Sequence, residues 1–394
     1  MKYDVVILGG GMAGLISSIY LSDKGYKTAL VSKGDPICCI SSGCIDLLAS
    51  DKNPLDDIKN LPEDHPYKMV GRDNLKKALL FFKKIMNEAG LPYFGNEEEN
   101  RIIFSPIAKK RKTSLVPFSM VEANIEENES IHVISFKGIK DFFPGYFTDK
   151  FEDSKCSEYE NAAKTTIGIA TQFDEPLFRN SFLDWIEGLN IQEDKIAIPA
   201  VLGTKNPEGL MNEIESRTGK KIFEIPTLPP SIPGLRLFRT LKKAAAEKGV
   251  DLFWGHAISD YKEVNNILTT LFIDQPGRPT VIEGKSFILA TGSFVSGGLF
   301  AEKTTVRETV FNLPVSIPAG EQRLSDSFFD PDHPLGKAGI KISEDYRPVE
   351  RNIKNLFIGG SILENSQIMN YQCGHGLAIA TGLEAAKSCE VYLK

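Results

Sequence analysis

Nowhere in its 394 residues does this chain string together the roughly 20 apolar residues that a helix needs to cross a bilayer. Any contact with a membrane is therefore expected to come through another protein. Met1 leads straight into the first strand and leaves no room for a signal peptide, which points to the cytoplasm, with peripheral attachment at the inner face of the cell membrane through partner subunits. Cysteine is sparse: Cys38, Cys39, Cys44, Cys156, Cys373 and Cys389 form neither a C-x-x-C pair nor a ferredoxin spacing, so no cluster or zinc site is expected within the chain. A basic excess is missing as well. The formal net charge of -6 argues against a nucleic-acid binder. The one basic run, Lys109-Lys110-Arg111-Lys112, reads as a solvated loop, with an anionic partner or lipid surface as the sharper alternative.

What is present begins at once. The apolar run Val5-Val6-Ile7-Leu8 meets glycines spaced G-x-G-x-x-G at Gly9, Gly11 and Gly14, and residues 15–24 and 26–31 read as the helix and second strand that such a motif requires. Gly9 permits the turn, Gly11 lets the backbone approach a phosphate, and Gly14 lets the helix pack on the strand. The helix N-terminus supplies amide donors and positive dipole to that phosphate. At the end of the second strand, where an adenosine-binding protein carries an acid for the ribose diol, stand Ser32 and Lys33. That substitution weakens adenosine recognition and opens the way to a mononucleotide, with two solvated loop residues as the plainer reading.

Two distant segments extend the nucleotide fold toward a flavoprotein. Residues 286–290 form an apolar strand closing on Thr291 and Gly292, and residues 355–358 form another closing on Gly359 and Gly360. Gly374-His375-Gly376 then opens a helix of small residues. A terminal strand beside the first glycine loop, with a helix entering from a glycine pair, lets backbone amides cover an isoalloxazine ring.

Ser41-Ser42-Gly43-Cys44-Ile45-Asp46-Leu47-Leu48, the segment 226–237 (PTLPPSIPGLRL), the segment 356–363 (LFIGGSIL) and Gln372-Cys373-Gly374 together resemble the B subunit of anaerobic glycerol-3-phosphate dehydrogenase. The matching blocks span essentially the whole chain, and the Pro-Pro-Ser block is far more specific than the glycine loop. The resemblance implies a flavoprotein carrying FMN, with FAD as the alternative. It also implies a catalytic FAD-containing sister subunit and an iron-sulfur, membrane-associated subunit. Such an assembly would oxidise sn-glycerol 3-phosphate to dihydroxyacetone phosphate and pass electrons to a quinone. Two alternatives stand beside it: an electron-transfer subunit without its own substrate site, and a fumarate-reductase-like flavoenzyme acting on another small substrate.

The fold class expected is α/β: a Rossmann-like flavin-binding domain in two segments, 1–95 and 220–394, with an inserted α+β cap over 96–219. Ser32, Lys33, Ser41, Ser42, Gly43, Thr291, Gly292, Gly359, Gly360, Gly374 and Gly376 join Gly9, Gly11 and Gly14 as candidate cofactor contacts. Arg236 is the candidate for substrate phosphate because its planar fork matches that anion, and a structural pairing with a carboxylate is the competing reading. His375, set between two glycines, is the candidate base or flavin partner, with a packing role as its competitor. His333 and Arg347 carry a weaker analogy to substrate-side residues of the fumarate reductase class.

Overall fold

A computed structural model describes residues 1–126, 129–275, 277–303, 305–318, 325, 327, 330 and 332–394. In chain order, strand β1 (Lys2–Leu8), helix α1 (Met12–Asp23) and strand β2 (Thr28–Ser32) open the fold, and helix α2 (Arg72–Glu88) follows. Strands β3 (Ile131–Phe136) and β4 (Lys155–Tyr159) precede helices α3 (Thr166–Phe173) and α4 (Pro176–Gly188). Strand β5 (Lys195–Pro199), helix α5 (Pro207–Thr218), strand β6 (Lys221–Ile225) and helix α6 (Ile232–Glu247) come next. Strands β7 (Asp251–Trp254), β8 (Ile258–Val264), β9 (Ile267–Ile273), β10 (Thr280–Leu289) and β11 (Leu356–Ile358) lead to the terminal helix α7 (Gly374–Leu393).

The chain divides into two compact units, one of Met1–Ile37, Asp46–Ala89 and Thr240–Lys394, the other of Cys38–Ile45 and Gly90–Arg239. The second unit takes in all of the expected insertion, 96–219, and in addition Cys38–Ile45, β6 and the start of α6.

The first unit is built on a seven-stranded sheet in the order β7-β2-β1-β10-β9-β8, with β11 also paired to β10. The pairings of β7 with β2, β2 with β1, β1 with β10 and β10 with β11 are parallel. Along the edge opposite β1, strand β10 is long enough to serve two partners: its first residues, 280–283, pair antiparallel with β9, and its last, 287–289, pair parallel with β11. Val5 to Leu8 are all buried, as a central parallel strand covered on both faces requires. Nine of the twelve residues of α1 are buried, because it lies against the sheet and against α7. That packing depends on small residues. A Cβ on Gly382 of α7 would stand 2.7 Å from the Ala13 carbonyl oxygen, and the Ser17 hydroxyl donates to Gly382 O at 2.7 Å.

The second unit carries a four-stranded, all-parallel sheet in the order β6-β5-β3-β4. Its side chains divide by the two-residue period of a strand. Ile134, Phe136, Ile196, Ile198 and Ile222 join one apolar cluster with α3, α4 and α5, while Ile131, Val133, Ala197, Phe223 and Ile225 join another with Phe104, Phe142 and Phe147. Two small antiparallel pairs, Tyr93–Gly95 with Leu115–Pro117 and Arg101–Phe104 with Lys110–Thr113, complete this unit, and the basic run lies along the second. Among the described residues no helix is long and apolar enough to cross a membrane.

Candidate functional site

Three neighbouring strands of the first unit, β1, β10 and β11, all end in glycine-rich turns at the same edge of the sheet. The first turn is fixed by backbone contacts. Gly9 has φ +113°, and a Cβ on it would lie 2.2 Å from the Ala290 carbonyl oxygen. Its amide donates to Val31 O at 2.8 Å. A Cβ on Gly14 would lie 1.9 Å from Gly9 O, so the first turn of α1 sits directly on the end of β1. Gly11 differs from both: its φ of -79° suits any residue, and among the described residues other than its chain neighbours its virtual Cβ meets only Pro36 Cβ, at 4.0 Å.

Gly11 is also the N-cap of α1. It brings no side chain to accept the amides of the first turn, and that turn holds no acid, although Met12, Ala13 and Gly14 are all buried. A buried helix N-terminus without a cap leaves donors that a ligand can satisfy, and its dipole favours an anion.

The second turn follows β10. Gly292 has φ +76°, and the Thr291 hydroxyl is buried with no hydrogen-bond partner among the described residues. The third follows β11, where Gly360 has φ +91°, donates its amide to the Thr381 hydroxyl at 2.8 Å, and would bring a Cβ to 3.1 Å from that of Ala13. Gly359 leaves room for α7, since its Cβ would meet Thr381 O at 2.9 Å. The three loops are thus in mutual contact: Gly9 with Ala290, Gly360 with Ala13, and Gly292 with Ser361.

Helix α7 starts at Gly374 behind Cys373, which gives no side-chain cap. Gly376 donates its amide to Asp46 O at 3.1 Å, and its virtual Cβ lies 2.7 Å from the Tyr67 hydroxyl, so this glycine is a close-packing requirement. His375 lies half-buried in the same turn. Burial pushes the Tyr67 phenol and the Cys373 thiol well above their ordinary ranges, leaving both protonated at neutral pH.

At the end of β2, Ser32 is buried and its hydroxyl donates to Gly34 O at 2.8 Å, while Lys33 is exposed. Beside them stands a pair that sequence reasoning missed. Trp254, at the end of β7 and in register with Ser32, donates its indole N–H to Asp35 Oδ1 at 2.9 Å, and its ring carbon Cη2 would be 2.2 Å from a Cβ on Gly10. No local sequence signal marks the pair, because only the pairing of β7 with β2 brings it together.

The remaining expected residues divide as follows. Ser41, Ser42 and Gly43 belong to the second unit and have local partners: Ser41 Oγ donates to Cys38 O at 2.8 Å and accepts the Gly43 amide at 3.2 Å, and Ser42 Oγ accepts the Cys44 amide at 3.4 Å. Arg236 is engaged by protein groups. It is buried in the second unit, its NH1 and NH2 donate to the two carboxylate oxygens of Glu224 at 2.6 and 3.0 Å, and its Nε and NH2 donate to Gly203 O at 2.9 and 2.6 Å. A guanidinium held by a buried carboxylate and a carbonyl matches the competing reading of a structural pair. His333 caps the short turn Pro334–Lys337, accepting the Leu335 amide at 3.2 Å. Arg347 stacks over Phe357 and Tyr392 at 5.4 and 5.5 Å and pairs with Asp345 at 3.2 Å. Among the described residues no three His, Cys, Asp or Glu side chains converge as a metal site would need.

A mixed sheet whose parallel strands end in glycine turns, with an uncapped buried helix start and an orphaned hydroxyl, defines a nucleotide-binding α/β protein of the Rossmann type. Residues 4–377 match the FAD binding domain family, and the chain belongs to it. The chain is also similar to proteins named as the B subunit of anaerobic glycerol-3-phosphate dehydrogenase. One from Aliivibrio fischeri is 27% identical, with 98% of this chain and 95% of that one covered. One from Actinobacillus pleuropneumoniae is 28% identical, with 98% and 99% covered. A relative from Halobacterium salinarum, named as a probable B subunit of the same enzyme, is 25% identical, with 98% and 97% covered. FMN as the principal cofactor is not supported, because the family that spans the chain is one of FAD binding.

Proposed function

We propose that this chain is a flavoprotein subunit that holds FAD on its first glycine loop and serves the oxidation of sn-glycerol 3-phosphate to dihydroxyacetone phosphate. The observation that carries the cofactor half is the uncapped, buried start of α1 beside the open face of Gly11, in a chain of the FAD binding domain family. The substrate half rests on the names of relatives that align with nearly the whole chain. Those relatives are subunits, so companion chains belong to the proposal: a catalytic FAD-containing sister, and an iron-sulfur, membrane-associated subunit that passes electrons to a quinone.

The residues on hand suit the cofactor. First-turn amides of α1 would take the pyrophosphate, the Thr291 hydroxyl offers a further donor or acceptor, and the turns at Gly292 and Gly360 allow close backbone approach. FAD bound there would supply the hydride acceptor. His375, half-buried in the first turn of α7, is the candidate to take the C2 hydroxyl proton or to hydrogen-bond the ring.

One observation favours a second reading. With Arg236 spent on Glu224, the arginine expected to hold a substrate phosphate is occupied, which supports a subunit that relays electrons from a catalytic partner. Anaerobic titration of the purified chain with glycerol 3-phosphate, after the cofactor has been released from a sample and identified by mass, separates the two. Bleaching of the flavin absorbance supports substrate oxidation on this chain. Bound FAD that dithionite reduces and glycerol 3-phosphate does not would select the relay. A purified chain that neither carries nor takes up a flavin would sink both.

A further inference from the structure

The strand-end acid that an adenosine-binding fold directs at a ribose diol is absent at Ser32, yet the structure brings a carboxylate to the same corner by another route. Asp35 stands three residues further on, in the turn that leaves β2. Its Oδ1 accepts the Trp254 indole N–H at 2.9 Å, and its Oδ2 accepts no hydrogen bond among the described residues. Trp254 is anchored in turn. It lies in register with Ser32 across the β7–β2 pair, its ring edge occupies the space that a side chain on Gly10 would fill, and Lys242 Nζ stands 3.9 Å from its ring centroid.

Asp35 is therefore flanked by two residues that border the glycine loop. Trp254 borders Gly10, and the Cβ that Gly11 would carry lies 4.0 Å from Pro36 Cβ. A carboxylate with one oxygen tied to an indole and the other open is suited to accept from a vicinal diol, which offers two hydroxyl donors. The Ser32 hydroxyl cannot supply the charge, and its proton is already given to Gly34 O.

We propose that Asp35, oriented by Trp254, recognises the ribose of the adenosine half of FAD and so sets the preference of this chain for the dinucleotide over FMN. The proposal rests on the FAD reading above. Its alternative is that the Trp254–Asp35 bond merely ties the turn to β7. The two differ in a measurable way, because FMN lacks the adenosine half. A residue that reads the ribose discriminates between the flavins, whereas a tie that holds the turn affects both alike.

The experiment strips the full chain of flavin and titrates it with FAD and with FMN, following flavin fluorescence, for wild type, Asp35→Asn and Trp254→Phe. Asparagine keeps an acceptor for the indole and removes the charge. The expected result is a loss of FAD affinity of about ten- to a hundredfold in Asp35→Asn, the worth of a charged hydrogen bond, with FMN affinity unchanged. Trp254→Phe is expected to show a smaller loss in the same direction. Wild type binding FAD with Asp35→Asn at full affinity would overturn the inference and leave the proposed function standing, as would equal losses for FAD and FMN. A rise in FAD affinity in Trp254→Phe would mean that the indole obstructs the adenosine half, and it too would overturn the inference. Wild type binding neither flavin would remove the FAD reading and this inference together.

Discussion

Gly11 and Gly14 sit three residues apart in one motif, and the structure gives them opposite reasons to be glycine. A Cβ on Gly14 collides with the carbonyl of Gly9, a backbone atom that cannot swing aside, whereas one on Gly11 projects into open space from an extended backbone. Gly14→Ala should therefore cost about 1–3 kcal/mol of folding stability, as overpacking against backbone does, and lower the melting temperature by several degrees. Gly11→Val should cost less than about 1 kcal/mol of stability, because only a glycine N-cap is lost, yet should purify without flavin. Melting curves and flavin-to-protein ratios on the two variants check both halves. Full flavin occupancy in Gly11→Val would remove the first glycine loop from the cofactor site. Arg236 makes the same point about residue identity: its chemistry suits either a phosphate or a carboxylate, and in this structure its partner is the buried carboxylate of Glu224.

At the level of elements, the close approach of α1 and α7 holds the uncapped helix start in place. Alanine is ordinarily the better helix former than glycine by about 1 kcal/mol. In α7 the sign should reverse at Gly382, where the added methyl would lie 2.7–3.1 Å from three backbone atoms of Ala13. Gly188 at the end of α4, whose virtual Cβ meets nothing within 4 Å among the described residues beyond its own helix and chain neighbours, is the control. Gly188→Ala should leave the melting temperature level or raised, and Gly382→Ala should lower it and weaken flavin retention together. A stabilised Gly382→Ala would show that the two helices can separate without loss. What was legible in the sequence follows from such constraints. Glycine turns after apolar strands could be read because each leaves a local pattern. The β8–β9 hairpin went unread although its turn, Asn265-Asn266, takes left-handed φ angles of +53° and +62° and is itself a hairpin signal. The Asp35–Trp254 pair was illegible for a different reason. It joins positions 219 residues apart, and only the pairing of β7 beside β2 brings them together.

Each unit has its own core and buries ionisable groups, of which His65 in the first and Glu193 in the second answer to different ranges of pH. In the first unit, burial holds His65 down to about 4, against opposing pulls from the Ser366 backbone and Asp64. In the second, burial alone would raise Glu193, but Lys155 and His132 outweigh it and hold the carboxyl at about 2. The signs follow from proton linkage. An unfolded histidine takes up its proton as pH falls past about 6.5, and folded His65 does not until about pH 4, so the first unit loses stability through that window. Glu193 is ionised in the folded state down to about pH 2, so its contribution to the second unit is lost only as pH falls from about 4.5 toward that value. Hydrogen exchange read by mass along the chain should therefore show β1 and α7 losing protection between pH 6.5 and 4.5 while β3 and β5 keep theirs. His65→Asn keeps an acceptor for the Tyr67 amide, which His65 Nδ1 now receives at 3.2 Å, and removes the titration. The stability gap between wild type and this variant should shrink by a few kcal/mol as pH falls from 6.5 to 4, an order of magnitude set by the size of the shift. That comparison also cancels Glu308, whose carboxyl is raised by burial and acts in the opposite direction in both proteins. A gap that stays constant across this range would mean that His65 titrates in the folded chain as it does in the unfolded one.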